Sequence, residues 1–180
     1  MYKLYLADVS CGNQDFSRLP QDLLHLADRK PNKLLSKAGM LLAYDALQQL
    51  DALPLCYEKS GKPISSKEDV HLSISHTEGI AVCVVSDNPI GVDVERYDRL
   101  APKHIIARLS LREQELASRS NEDFIKIWTA KEALAKCEGI GITVALSIDL
   151  VNDKGVITRQ GFSINHKTIN DYIVCICEKN

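Results

Sequence analysis

Apolar and polar positions alternate over residues 2–9, a period of two that predicts a strand, and the pattern changes to helical spacing over residues 20–29. A longer helix is predicted to start at Pro31 and Asn32, to repeat Leu34, Leu35, Ala38, Leu41, Leu42, Ala46 and Leu50 on one side, and to stop at Pro54. Residues 55–58 read as a short strand, Ser60-Gly61-Lys62-Pro63 as a turn, residues 71–75 as a strand ending near Ser75-His76, and the apolar run 80–86 as a buried strand. Asp87-Asn88-Pro89 turns into a further strand over 91–95, so 80–86 and 91–95 are expected to form a hairpin.

Beyond it the period is helical over 102–109 and 110–118, and Ser110 with Glu113 has the spacing of a capping box. Phe124 begins a helix that carries Trp128 and Lys136 and stops at Gly139 and Gly141. Residues 145–151, 155–165 and 171–178 read as strands joined by polar turns. The run from Gly79 to Val85 resembles the run from Asp171 to Cys177, and a long helix precedes each. The fold class expected is therefore mixed α+β in two similar halves, residues 1–90 and 91–180, with the boundary near 88–100.

A chain of 180 residues can bury a proper core, and 45% hydrophobic with 26% charged residues is ordinary globular material. A net charge of −2 argues against nucleic acid as a partner, since such binders are usually strongly basic. No apolar run is long enough to cross a bilayer, and the first eight residues are too short and interrupted for a signal peptide, so a cytoplasmic protein without a membrane partner is expected. Cys11, Cys56, Cys83, Cys137, Cys175 and Cys177 are scattered, several in apolar contexts, and read as reduced thiols rather than disulfides or zinc ligands.

Two segments carry candidate chemistry. In Ile90-Gly-Val92-Asp93-Val94-Glu95 the strand period puts Asp93 and Glu95 on one face, where two carboxylates repel unless a cation or a basic partner lies between them. In Trp128-Thr-Ala-Lys131-Glu132-Ala-Leu-Ala-Lys136, Trp128, Glu132 and Lys136 share a helix face, with Lys131 expected beside them. A hard divalent ion held by Asp93, Glu95 and Glu132, next to lysines suited to a phosphate ester, accounts for both segments. Each also has a plain structural reading, a solvated Glu–Lys helix pair and an edge strand bridged to Arg96 or Arg99.

Gly61-Lys62-Pro63, Ser75-His76, Gly91-Val-Asp93-Val-Glu95 and the Trp128–Lys136 segment, in that order, resemble the signature motifs of 4′-phosphopantetheinyl transferases of the surfactin-synthetase-activating type. The resemblance covers roughly residues 60–150. It implies a pseudo-twofold fold of two similar α/β halves in a monomer with the active site between them, residues 1–90 serving the nucleotide end of coenzyme A and 91–180 the metal. The implied reaction moves 4′-phosphopantetheine from coenzyme A to a serine of an acyl or peptidyl carrier protein. It implies Mg²⁺ on Asp93, Glu95 and Glu132, and Lys136 against the pyrophosphate. Lys62 and His76 would bind phosphates with Ser75 nearby, Lys131 would border the site, and Gly61 to Pro63 would pass along the adenine. Lys33, with Lys37 as substitute, is the residue expected to take the 3′-phosphate. Glu132 is the expected base for the serine proton, directly or through a water.

The same residues leave two other readings: a catalytically silent coenzyme A or nucleotide-binding module, and a metal-dependent phosphohydrolase that needs no carrier. Acidic carriers call for a local basic patch, for which Arg108, Arg112 and Arg119 are the candidates.

Overall fold

The alternation at the start of the chain folds as β1 (Lys3–Asp8), followed by α1 (Gln21–Asp28) and α2 (Lys33–Gln49). A computed structural model describes residues 1–10 and 14–180, so Cys11 lies outside the described residues. The chain divides into two compact units, Met1–Asn88 and Pro89–Asn180.

The first unit continues with β2 (Cys56–Tyr57), β3 (Pro63–Ile64), β4 (His71–Thr77) and β5 (Ile80–Ser86). Its main sheet is antiparallel in the order β1-β5-β4, with Leu4 opposite Val84 and Ile74 opposite Cys83. All seven β5 residues are buried, as an apolar run without alternation requires. Helix α2 packs on β4 and β5, and Met40, Ala43, Leu47, Leu72, Cys83 and Val85 join Leu23 and Ala27 of α1 in one core.

The second unit holds β6 (Ile90–Arg96), α3 (Lys103–Ile106), α4 (Leu111–Ala117), α5 (Asn121–Glu138), α6 (Ile142–Leu146), β7 (Phe162–Ile169) and β8 (Tyr172–Lys179). Its sheet has the order β6-β8-β7, again antiparallel, with Asp93 opposite Cys175. The two runs that resemble one another in sequence, 79–85 and 171–177, thus lie in the central strand of each sheet. Ser120 caps α5 by accepting from the Asp123 amide at 3.0 Å, and Gly139 ends the helix in the left-handed region at φ 70°. Ser110 and Glu113 form the capping box of α4.

Helix α5 lies directly on β6 and β8. A Cβ placed on Gly91 would stand 1.9 Å from the Ala133 carbonyl oxygen and 2.6 Å from the Cys137 amide nitrogen, so only glycine lets helix and strand backbones approach this closely. The approach brings the side chains of α5 to those of β6.

Four sequence expectations are corrected. Strands 80–86 and 91–95 do not form a hairpin: both edges of β5 are taken, by β1 and β4, while β6 pairs with β8. Hydrophobic period identifies a buried strand without naming its partner. Residues 145–151 are not a strand; α6 covers the start of the segment, and the carbonyls of Leu146 and Ile148 turn to the Lys131 ammonium instead of a ladder. Residues 155–161 precede β7 as turns and isolated bridges rather than a continuous strand, with Gly155 and Gly161 at φ of 72° and 81°. Ser75-His76 also lies inside β4, which runs on to Thr77.

Gly91→Ala is expected to destabilise the protein by about 1–3 kcal/mol, the usual range for overpacking against a neighbour that cannot yield. Chemical denaturation of the two proteins measures it; equal midpoints would show that α5 does not sit on β6 this tightly.

Candidate active site

Strand β6 supplies Asp93 and Glu95 from alternate positions, and α5 supplies Trp128, Glu132 and Lys136 from positions four apart. Lys136 Nζ donates to Asp93 Oδ1 at 2.8 Å and to the Val92 carbonyl at 3.0 Å, tying the last turn of the helix to the strand. Asp93 is 5% exposed, so this is a largely desolvated ion pair rather than a surface one.

Glu95 forms an ion pair with Arg99, three residues beyond the strand end, and the Arg99 guanidinium carbon sits 5.4 Å from the centre of the Trp128 ring. Trp128 packs against Leu109, Leu116 and Phe124, and among the described residues its buried Nε1 finds no hydrogen-bond acceptor. Burial pushes the Glu132 carboxyl above its ordinary range, the Asp93 charge pushes it further, and Lys136 and Arg99 partly oppose both. A half-buried carboxyl raised above its ordinary range, beside a carboxylate and two cations, is the setting in which a glutamate serves as a proton acceptor.

The acids are arranged for a cation in chemistry more than in position. Among the described residues no three His, Cys, Asp or Glu side chains gather closely enough to hold a metal ion. Two of the three expected acids are ion-paired, Asp93 with Lys136 and Glu95 with Arg99. Asp93 and Glu132, whose charges repel, remain a donor pair suited to a hard divalent ion.

Lys131 is placed differently from expectation. Adjacent helix residues point about 100° apart, so Lys131 faces away from Glu132 and is completely buried. Its ammonium lies 2.6 Å from Glu113 Oε1 and donates to the carbonyls of Leu146, at 3.3 Å, and Ile148. It has no room to touch a ligand. Glu113, also completely buried, accepts from the Leu150 amide at 2.9 Å and the Ser110 amide at 3.0 Å. Sequence reasoning found Glu113 only as a cap. The signal for its second role was legible: Lys131 continues the apolar stripe of Phe124, Ile127 and Leu134, and a lysine there needs a buried carboxylate.

The candidates for the nucleotide end of coenzyme A lie in the first unit, and the arginines expected to form a basic patch in the second. Lys33 is exposed at the first position of α2, while Lys37 is ion-paired to Asp28 at 2.8 Å. Lys62 directly precedes β3, which Pro63 begins; Ser75 is buried and His76 half-buried in β4. Arg112 is bound to Asp149 and Asp153 and Arg119 to Glu115, so of the three arginines expected to form a basic patch, two are matched by acids and Arg108 is exposed.

Comparison with known proteins puts this geometry in context. The profile of the 4′-phosphopantetheinyl transferase superfamily matches residues 89–177. The 4′-phosphopantetheinyl transferase gsp of Aneurinibacillus migulanus is 33% identical over 140 residues, 69% of this chain and 58% of that protein. The 4′-phosphopantetheinyl transferase Sfp of Bacillus subtilis (strain 168) is 31% identical over 97 residues, 49% of this chain and 42% of that protein. The 4′-phosphopantetheinyl transferase AcpT of Escherichia coli (strain K12) is 26% identical over 186 positions, 98% of this chain and 90% of that protein. The chain spans about half the length of the first two relatives that it matches.

Glu132→Gln is expected to stabilise the fold at neutral pH. The folded state raises the Glu132 carboxyl, so ionising it opposes folding above that raised value, while below the ordinary glutamate value of about 4.3 the group is protonated folded or unfolded and opposes nothing. The advantage of the variant should therefore grow as pH rises between these two points, read as the difference in Tm between the two proteins across pH. A difference independent of pH would mean that Glu132 is not under this strain.

Proposed function

We propose that this chain, which belongs to the 4′-phosphopantetheinyl transferase superfamily, transfers 4′-phosphopantetheine from coenzyme A to a serine hydroxyl of an acyl or peptidyl carrier protein. The observation that carries the reading is the Asp93–Lys136 ion pair beside a Glu132 carboxyl that burial and Asp93 both raise.

The serine oxygen forms a bond to the phosphorus that bears pantetheine, the bond from that phosphorus to the bridging oxygen breaks, and adenosine 3′,5′-bisphosphate leaves. Glu132 accepts the serine proton, directly or through a water; burial and the Asp93 charge raise its carboxyl, which strengthens it as a proton acceptor. Lys136 stabilises the negative charge that moves to the leaving phosphate, since phosphoryl transfer is promoted mainly by positioning and electrostatics. Asp93 and Glu132 would hold Mg²⁺, with Glu95 joining when Arg99 yields; when bound, the ion neutralises charge on the pyrophosphate. Trp128, packed in the core, keeps the helix face steady beneath these groups.

In this reading Lys62 and His76 take coenzyme A phosphates with Ser75 nearby, Pro63 borders the adenine, and Lys33, whose side chain is exposed, takes the 3′-phosphate. The N-terminal half, residues 1–90, serves the nucleotide end and residues 91–180 the metal. We attribute the common strand order to an internal duplication with pseudo-twofold symmetry, acting as a monomer. The five free cysteines among the described residues fit a reducing cytoplasm.

The test is to incubate the protein with coenzyme A, Mg²⁺ and a panel of apo carrier proteins and to measure the intact mass of each carrier. A gain of one phosphopantetheine is expected. Glu132→Gln should slow the gain about 10²–10⁴-fold, the usual weight of a positioned base. Coenzyme A cleaved by water with no carrier modified would instead support a phosphohydrolase, and binding without cleavage a silent module.

A further inference from the structure

The Glu113–Lys131 pair is more elaborate than a helix junction needs. Both side chains are completely buried and meet at 2.6 Å, so two charges are taken out of water for a contact that apolar packing could also make. Such pairs are found where burial alone leaves a geometric choice open.

Helix α5 leaves one. Its buried residues include 127–131 and 133–135, which wrap the whole circumference, and three of them are alanines, Ala130, Ala133 and Ala135. A helix buried on all sides has no single apolar stripe to set its rotation. Gly91 fixes how near α5 lies to β6, and smooth alanine surfaces resist turning weakly. Rotation matters because Glu132 follows Lys131 directly. A turn of about 20° would move a carboxylate about 6 Å from the axis by roughly 2 Å, and a displacement of about 1 Å can cost on the order of 10²-fold in rate.

Two lysines five residues apart project about 140° from one another around the axis. Lys136 ties one side of α5 to Val92 and Asp93; Lys131 ties the other to Glu113, Leu146 and Ile148. Glu113 is itself fixed by the Ser110 and Leu150 amides. We infer that Glu113 and Lys131 are positioning residues, a buried ion pair that sets the rotation of α5 and so presents Glu132 beside Asp93. Its consequence for rate rests on the transferase reading above; its consequence for helix rotation does not.

The experiment compares the wild-type chain with two variants. Glu113→Gln keeps a carbonyl acceptor for the Leu150 amide while removing the charge, and the double variant Glu113→Leu with Lys131→Met leaves no buried charge unpaired. Each is measured for Tm, for kcat and KM with a carrier that the wild type modifies, and for the ¹⁵N signal of the Lys136 ammonium, whose slowed proton exchange reports its bond to Asp93. The double variant leaves the Ser110 and Leu150 amides and the Leu146 and Ile148 carbonyls without their side-chain partners and should lose Tm for that reason, while beyond this kcat falls at least tenfold, KM for coenzyme A changes little and the protected Lys136 signal is lost. A double variant with wild-type kcat and an intact Lys136 signal would overturn the inference and leave the pair a purely structural feature. Should the double variant fail to fold, Glu113→Gln decides by the same readouts. A wild type that modifies no carrier would count against the transferase reading, and the Lys136 signal in the variants would still decide the inference.

Discussion

The second unit depends on the backbone-to-backbone approach of α5 and β6 at Gly91. With a side chain at that position the helix would stand off the strand. The Lys136 ammonium could then no longer reach both the Val92 carbonyl and Asp93, and Glu132 would lose its neighbour. The glycine gives up a side chain that could have packed, and a dense arrangement of charge becomes possible in its place.

That arrangement is under tension. The Asp93 charge raises the cost of ionising the half-buried Glu132, and the structure answers with Lys136 on one side and Arg99, lying over the Trp128 ring, on the other. Compensation is incomplete, since Glu132 stays above its ordinary range. A fully neutralised glutamate would be more stable and a poorer base, so the residual strain is what a proton acceptor at neutral pH needs.

Much of this was legible in the sequence. The 91–95 alternation and the four-residue spacing of Trp128, Glu132 and Lys136 identified the strand and helix faces that meet, and the capping box at Ser110 and Glu113 stands as read. Partner choice was not legible: nothing in the run 80–86 says that β1 and β4 occupy its edges. Nor was the conformation of residues 145–151, read as a strand although the Leu146 and Ile148 carbonyls are claimed by a buried ammonium from another element. Arg99 was visible as a possible partner of Glu95, but its place over Trp128 comes from a chain reversal that local pattern does not encode.

Lys131 and Lys136 show why residue type alone misleads. Both sit on α5, both are charged, and both seemed to flank Glu132; the 100° step per residue turns one into the core and leaves the other 31% exposed at the strand. Their neighbours in sequence already separated them, for Lys131 lies among Ile127, Trp128, Leu134 and Ala135, and Lys136 beside Glu132. A cation on an apolar stripe requires an acid from elsewhere, and that requirement draws α4 and the segment after α6 into the same structure that holds Glu132. The carboxylate that faces the proposed chemistry is thus kept in place by an ion pair that never meets it.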